Sequence, residues 1–136
     1  MALGALGVIV TLLYLSGQIR QNNRQIRGSA ISTLAELDYK LASDYRDNAE
    51  LFCVVVTASN NWASTPLSEQ NRAHLANLQE FQILQTAFHL WQEKSISQEQ
   101  YQAREGYMLL RLGDPGTLYW WQNYTYSLAP SFYQPP

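Results

Sequence analysis

The sequence predicts an all-α protein in which an N-terminal transmembrane helix continues into a long stalk helix and packs with a small helical bundle. Three observations predict it. Residues 1–17, MALGALGVIVTLLYLSG, hold no charged side chain and no proline. Arg20, Arg24 and Arg27 then follow at spacings of four and three, so they share one helix face just past the apolar run. Beyond them, apolar residues recur every three and four positions, and turn signals divide them into separate helices.

The first segment admits three readings. A secretory signal peptide opens with basic residues and closes on a small-residue cleavage site, and neither feature is convincing here. A buried core helix fits the length, because the run is shorter than the ~20 residues that cross a bilayer. The residues that follow favour a membrane helix. Tyr14 stands where an interfacial aromatic anchors, and Arg20, Arg24 and Arg27 stand where snorkelling guanidinium groups meet lipid phosphates. Residues 2–16 reach about 22 Å as a helix, against ~30 Å of hydrocarbon. Local thinning, a covering partner or an upstream start each closes that gap. The first 19 residues carry no charge and the next dozen carry three arginines. The positive-inside rule therefore puts the amino terminus outside and the rest in the cytoplasm. The expected organisation is residues 1–17 as anchor and 18–136 as a helical cytoplasmic domain.

The same helix is expected to continue to about residue 43 as a rod of roughly 60 Å. Leu12, Ile19, Ile26 and Thr33 recur in one row, and Leu15, Asn22 or Asn23, Ala30, Leu34, Leu37 and Leu41 run beside them. Gly17 and Gly28 either weaken the helix or mark the close approach of another backbone. A stalk cannot bury its stripe alone, so the downstream helices or another subunit must cover it.

DNAE at 47–50 matches a capping box, with Asp47 as cap and Glu50 returning to it. Leu51, Val54, Val55, Ala58 and Trp62 follow as a helical stripe. The three valines would also suit a strand, but no second strand-like segment offers a partner. Ser68 is the expected cap of a third helix, whose face is Leu75, Leu78, Phe81, Leu84, Phe88 and Trp91. This is the strongest periodic signal in the chain. Ser97 with Gln100 forms another capping box, opening a helix with Tyr101, Met108 and Leu112 on its face. Gly113 stops it, and Asp114 with Pro115 starts a short last helix carrying Trp120, Trp121 and Tyr124. The tail LAPSFYQPP is expected to be irregular.

Composition narrows the function classes. The chain has 136 residues, with 11 acidic against 9 basic, for a net charge of −2. No basic field exists to displace phosphate counterions, so nucleic acid is not an expected partner. Only 15% of residues are charged, where about a quarter is usual for a free soluble domain. Such a surface fits a protein that lives in contact with others. Cys53, the single cysteine, lies in the apolar run LFCVVVT and is expected to be a buried small hydrophobe. His89 and Glu93 stand one turn apart, which supplies two metal ligands at most and no Glu-x-x-His pairing between helices. No metal, cofactor or catalytic set is expected.

LLYLSGQIRQNNRQIRGSA resembles the opening of a widespread, uncharacterised family of small bacterial single-pass membrane proteins, which carry a Q-I-R-Q-N motif after the membrane helix and then a helical domain. LSEQNRAHL, FHLW, DPGTLYWW and APSF are similar to further stretches of that family, so the likeness spans nearly the whole chain. The chain departs from the pattern at Lys94, where glycine is expected, and at Tyr101, where tryptophan is usual. The resemblance implies a fold and a membrane location, and supplies no catalytic residues.

The C-terminal aromatics are the remaining unusual feature. Tyr119, Trp120, Trp121, Tyr124, Tyr126, Phe132 and Tyr133 crowd the last part of the chain. One inward helix face accounts for Trp121 and Tyr124. The surplus, Tyr119, Trp120, Tyr126, Phe132 and Tyr133, suits a partner contact. The expected function is thus a non-enzymatic accessory or scaffold subunit of a membrane complex, respiratory or photosynthetic assemblies being natural hosts. The alternative is a binding module with a pocket between the first, third and fourth helices for lipid or a quinone-like ligand.

Overall fold

The computed structural model describes residues 2–124 and 128–133. The chain is all-α, with six helices in order: α1 (Ala2–Asp47), α2 (Ala49–Asn60), α3 (Leu67–Gln92), α4 (Gln98–Leu112), α5 (Pro115–Tyr124) and α6 (Pro130–Tyr133). At 1.5 Å per residue, α1 is about 69 Å long. It is the one helix among the described residues long and apolar enough to cross a membrane. Residues 3–29 are exposed throughout, and burial begins only at Ala30 and Leu34. Of the second apolar row, the bundle therefore covers the lower half and leaves Leu15 and its neighbours bare. Gly17 and Gly28 have no atom near enough to meet an added Cβ, so among the described residues no other helix brings its backbone against them.

Helix α3 runs antiparallel to α1. Tyr45, near the end of α1, meets Glu80 in the middle of α3, and Arg27, higher on α1, shares a cleft with Trp91 and Lys94 at the end of α3. The α3–α4 turn is consequently the end of the bundle nearest the apolar half of α1. That placement positions everything below.

Several local expectations need correcting. The cap of α2 is Asn48, not Asp47: its side-chain oxygen accepts from the Leu51 N–H at 3.0 Å. Glu50 does not close a capping box, because Arg72 draws it away into a 2.6 Å ion pair. Ser68 is not the cap of α3. The cap is Pro66, two residues earlier, and the Gln70 amide ties down the preceding turn by donating to the carbonyls of Trp62 and Thr65. Leu75 lies off the buried face, at 65% exposure, while Ala73, Ala76 and Asn77 take its place. Cys53 is exposed, because Val54 and Val55 face the bundle and Cys53 points away from them. The tail is not wholly irregular, since Pro130–Tyr133 form a helical turn. The capping box at Ser97 and Gln100 is present as expected.

Helix α3 ends in a Schellman turn, with the Ser95 N–H bonded to Leu90 O at 2.8 Å and the Lys94 N–H to Trp91 O at 2.9 Å. That motif requires a left-handed residue, and Lys94 supplies it at φ 60°. A glycine at 94, the residue the resemblance leads one to expect, would adopt this conformation without steric cost. Gly116 has the opposite role. A Cβ there would lie 1.9 Å from the carbonyl oxygen of Ala58, so α5 packs its first turn directly on the backbone of α2.

The core is aromatic and continuous. Trp62 meets Tyr124, Tyr124 meets His74, His74 meets Trp120, and Trp120 meets Phe81, all with centroids within 6.0 Å. Phe81 then contacts Trp121, which contacts Phe132, which contacts Phe88, and Phe88 leads to Tyr101 and Trp91. Each such pair adds about 0.5–1.5 kcal/mol beyond the area it buries.

Candidate functional site

A buried polar cluster joins five helices. Arg111 of α4 donates from Nε to Glu80 of α3 at 3.1 Å, and from Nη2 to the Asn77 side-chain oxygen at 3.3 Å. Its Nη1 reaches Ser59 of α2, Asp114 and, at 3.4 Å, Thr117 of α5. Tyr45 of α1 completes the set by donating to the other Glu80 oxygen at 2.6 Å. The ion pair is deeply placed, with side-chain exposures of 13% for Arg111 and 2% for Glu80. Burial works against the Arg111 charge, but Glu80 more than offsets it and holds the guanidinium above its ordinary pKa. Burial first, then the Glu80 charge and hydrogen bond, push the Tyr45 phenol well above the usual tyrosine range. Every charge in the cluster has a partner inside it, so its evident action is to fasten the helices together.

This cluster was not anticipated from sequence, although a signal existed. Asn77 and Glu80 interrupt the apolar face of α3, where Ala73, Ala76, Phe81, Leu84 and Ala87 are buried. A carboxylate in the middle of an apolar stripe requires a buried cation elsewhere. Only the identity of that cation, Arg111, needed the fold.

Two of the clefts along α1 border both α3 and α4. The one nearer the arginines, about 420 Å³, is lined by Arg27 and Ile31 of α1, Trp91 of α3, and the turn from Lys94 through Gln100. Trp91 is stacked on Tyr101 with planes 4° apart, which fixes that wall. The second, about 380 Å³, lies between α1, α3 and α4, and its walls include Leu41, Ile83, Leu84, Ala103 and Met108. Arg104 borders it, paired with Asp38 at 2.7 Å, and its Nε is buried without a hydrogen-bond partner. Among the described residues, no group of three histidine, cysteine or carboxylate side chains gathers as metal ligands.

The sequence-derived site residues fall into distinct places. Tyr14, Arg20, Arg24 and Arg27 are all exposed on α1, and among the described residues none of the three arginines joins an ion pair. Tyr119 is 48% exposed beside Asn60 and Trp62. Trp120 must be withdrawn as a contact residue. It is 0% exposed: α5 packs its first turn on α2 and buries this ring against Phe81 and His74 of α3, where the indole N–H bonds His74 Nδ1 at 2.9 Å. Phe132 is half-buried against Phe88 and Trp121, and Gln85 holds the backbone of its helix by accepting from the Ala129 N–H. Tyr126 lies outside the described residues, as does the side chain of Tyr133. Of the surplus whose side chains are described, Trp120 and Phe132 pack on α3 and Tyr119 stays exposed.

No protein family model, no curated protein and no solved structure matches the chain.

Proposed function

We propose that the chain is a membrane-anchored, non-enzymatic accessory or scaffold subunit of a membrane protein complex. The observation that carries this reading is the uncovered half of α1. Helices with a bare apolar circumference are stable in lipid or against another protein, not in water. The exposed arginines follow directly, as expected at a headgroup layer. In this reading the protein crosses a bacterial inner membrane once, with its amino terminus outside and the bundle in the cytoplasm. It belongs with the family of single-pass proteins that its Q-I-R-Q-N segment resembles. Lipids and neighbouring subunits are its partners, respiratory or photosynthetic assemblies are hosts of the right kind, and nucleic acid is not a partner.

A non-enzymatic role is supported by how the polar groups are used. Arg111, Glu80, Tyr45, Asn77 and Ser59 are committed to one another, and His74 accepts from Trp120. Purification from native membranes in mild detergent tests the proposal. Stoichiometric co-purifying membrane subunits are the expected result, and a lone monomer from every preparation contradicts it.

The second reading, a binding module for lipid or a quinone-like ligand, is favoured by the cleft between α1, α3 and α4. Its apolar walls and the unpartnered Arg104 Nε suit a mostly hydrocarbon ligand with one hydrogen-bond acceptor. An apolar ligand retained by wild type and lost in Ala103→Trp would favour it over the scaffold role.

A further inference from the structure

The geometry points to a headgroup site in the cleft at the α3–α4 turn, where Arg27 and Lys94 together hold the phosphate of one anionic phospholipid. The inference rests on the membrane reading above and adds to it a defined lipid position that locks the bundle against the bilayer. Two cations line this cleft from opposite sides, Arg27 from α1 and Lys94 from the turn. Neither belongs to an ion pair among the described residues, and the first acidic residue in the sequence is Glu36. Both are exposed and open to an anion from outside the chain, although Glu93 adjoins Lys94 in sequence. Ser95 lines the same cleft at 8% exposure, and its hydroxyl has no side-chain hydrogen-bond partner among the described residues. It adds a donor suited to a phosphate oxygen.

Depth fits as well. Arg27 follows Arg20 by two helical turns, about 10 Å, and its side chain leans back toward the amino terminus. That brings the guanidinium toward the headgroup layer, which extends about 5–7 Å beyond the hydrocarbon. Trp91 and Ile31 give the cleft apolar wall beside the two cations. A zwitterionic lipid brings its own ammonium, which competes with the two side chains. A net anionic headgroup does not.

Native mass spectrometry of the full chain in mild detergent, titrated with phosphatidylglycerol or phosphatidylcholine, tests the site. Wild type is expected to retain one phosphatidylglycerol in preference to phosphatidylcholine. Arg27→Gln with Lys94→Gln is expected to weaken retention about tenfold or more, and Arg20→Gln with Arg24→Gln less than about threefold. Circular dichroism of both variants should match wild type, since all four side chains are exposed. Equal retention by the Arg27 and Lys94 variant, no preference between the lipids, or displacement of the lipid by inorganic phosphate at matched concentration each overturns the proposal. The last outcome assigns the cleft to a soluble anion instead. Carbonate extraction of membranes separates the two failures: a chain that stays with the pellet but shows no specific lipid sinks only the headgroup site, whereas a chain found in the supernatant sinks the membrane reading beneath it.

Discussion

Tyr45 and Glu80 meet through a 2.6 Å hydrogen bond that ties the stalk to the bundle at the end farther from the apolar segment of α1. The contact joins residues 35 apart in sequence, and it places the last turns of α1 on the same carboxylate that Arg111 holds from α4.

This link gives alkaline stability a defined sign. The phenol ionises at about 10.0 when unperturbed, and burial with Glu80 raises it in the fold. The folded state therefore favours the protonated phenol. Its contribution is complete below pH 10 and is lost as the pH climbs from there toward the folded pKa. Tyr45→Phe should cost about 1.5–3 kcal/mol at neutral pH, the range for a hydrogen bond to a charged group. It should also flatten part of the alkaline decline, while Tyr101 and Tyr107, both also raised first by burial, keep the remainder. Urea unfolding in micelles across the alkaline range checks both.

Arg111→Met should be among the most damaging single changes, at about 3–5 kcal/mol, because it leaves the Glu80 charge buried and alone. Adding Glu80→Gln should restore at least about 1 kcal/mol, since the uncompensated charge goes with it. Unfolding of both single variants and the double variant measures this, and strict additivity would count against a shared network.

Gly116→Ala and Gly106→Ala should move stability in opposite directions. Helix propensity favours alanine by about 1 kcal/mol at either site. Gly106 has nothing within 4 Å of an added Cβ, whereas Gly116 has the Ala58 carbonyl at 1.9 Å. The first substitution should therefore lose about 1–3 kcal/mol or more through overpacking, and the second should gain. Melting temperatures of the two variants decide the matter.

Lys94→Gly should raise stability by about 0.5–1 kcal/mol, by relieving a side chain held at φ 60°. Lys94→Ala, which keeps the Cβ, should bring no such gain. The glycine variant should at the same time retain phosphatidylglycerol less well, so that stability and lipid retention change in opposite senses.

The helices were legible because their stripes were: the period of three and four on α3 and the Ser97–Gln100 box both survive in the structure. Caps were less so. Asp47 and Asn48 are chemically equivalent candidates, and the choice fell to Arg72, a residue 22 positions beyond Glu50 that engages its carboxylate. The aromatic tail misled for a similar reason. A single inward face on α5 could not absorb so many rings, but Phe132 returns along α3 and packs on Phe88, a pairing 44 residues apart that no local pattern encodes. The arginines of α1 were visible in sequence, yet their relation to Lys94 and Trp91 depends on the antiparallel return of α3.

Cys53 is the single cysteine and is exposed on the bundle, so its labelling tests both the proposed membrane placement and the side on which the bundle lies. Spheroplasts expressing the chain would be treated with a membrane-impermeant maleimide before and after permeabilisation, and the carbonate-washed membranes analysed. The expected result is a chain wholly in the membrane fraction whose Cys53 is labelled only after permeabilisation. Labelling of intact spheroplasts would reverse the orientation, and an unpelleted chain would remove the membrane placement itself.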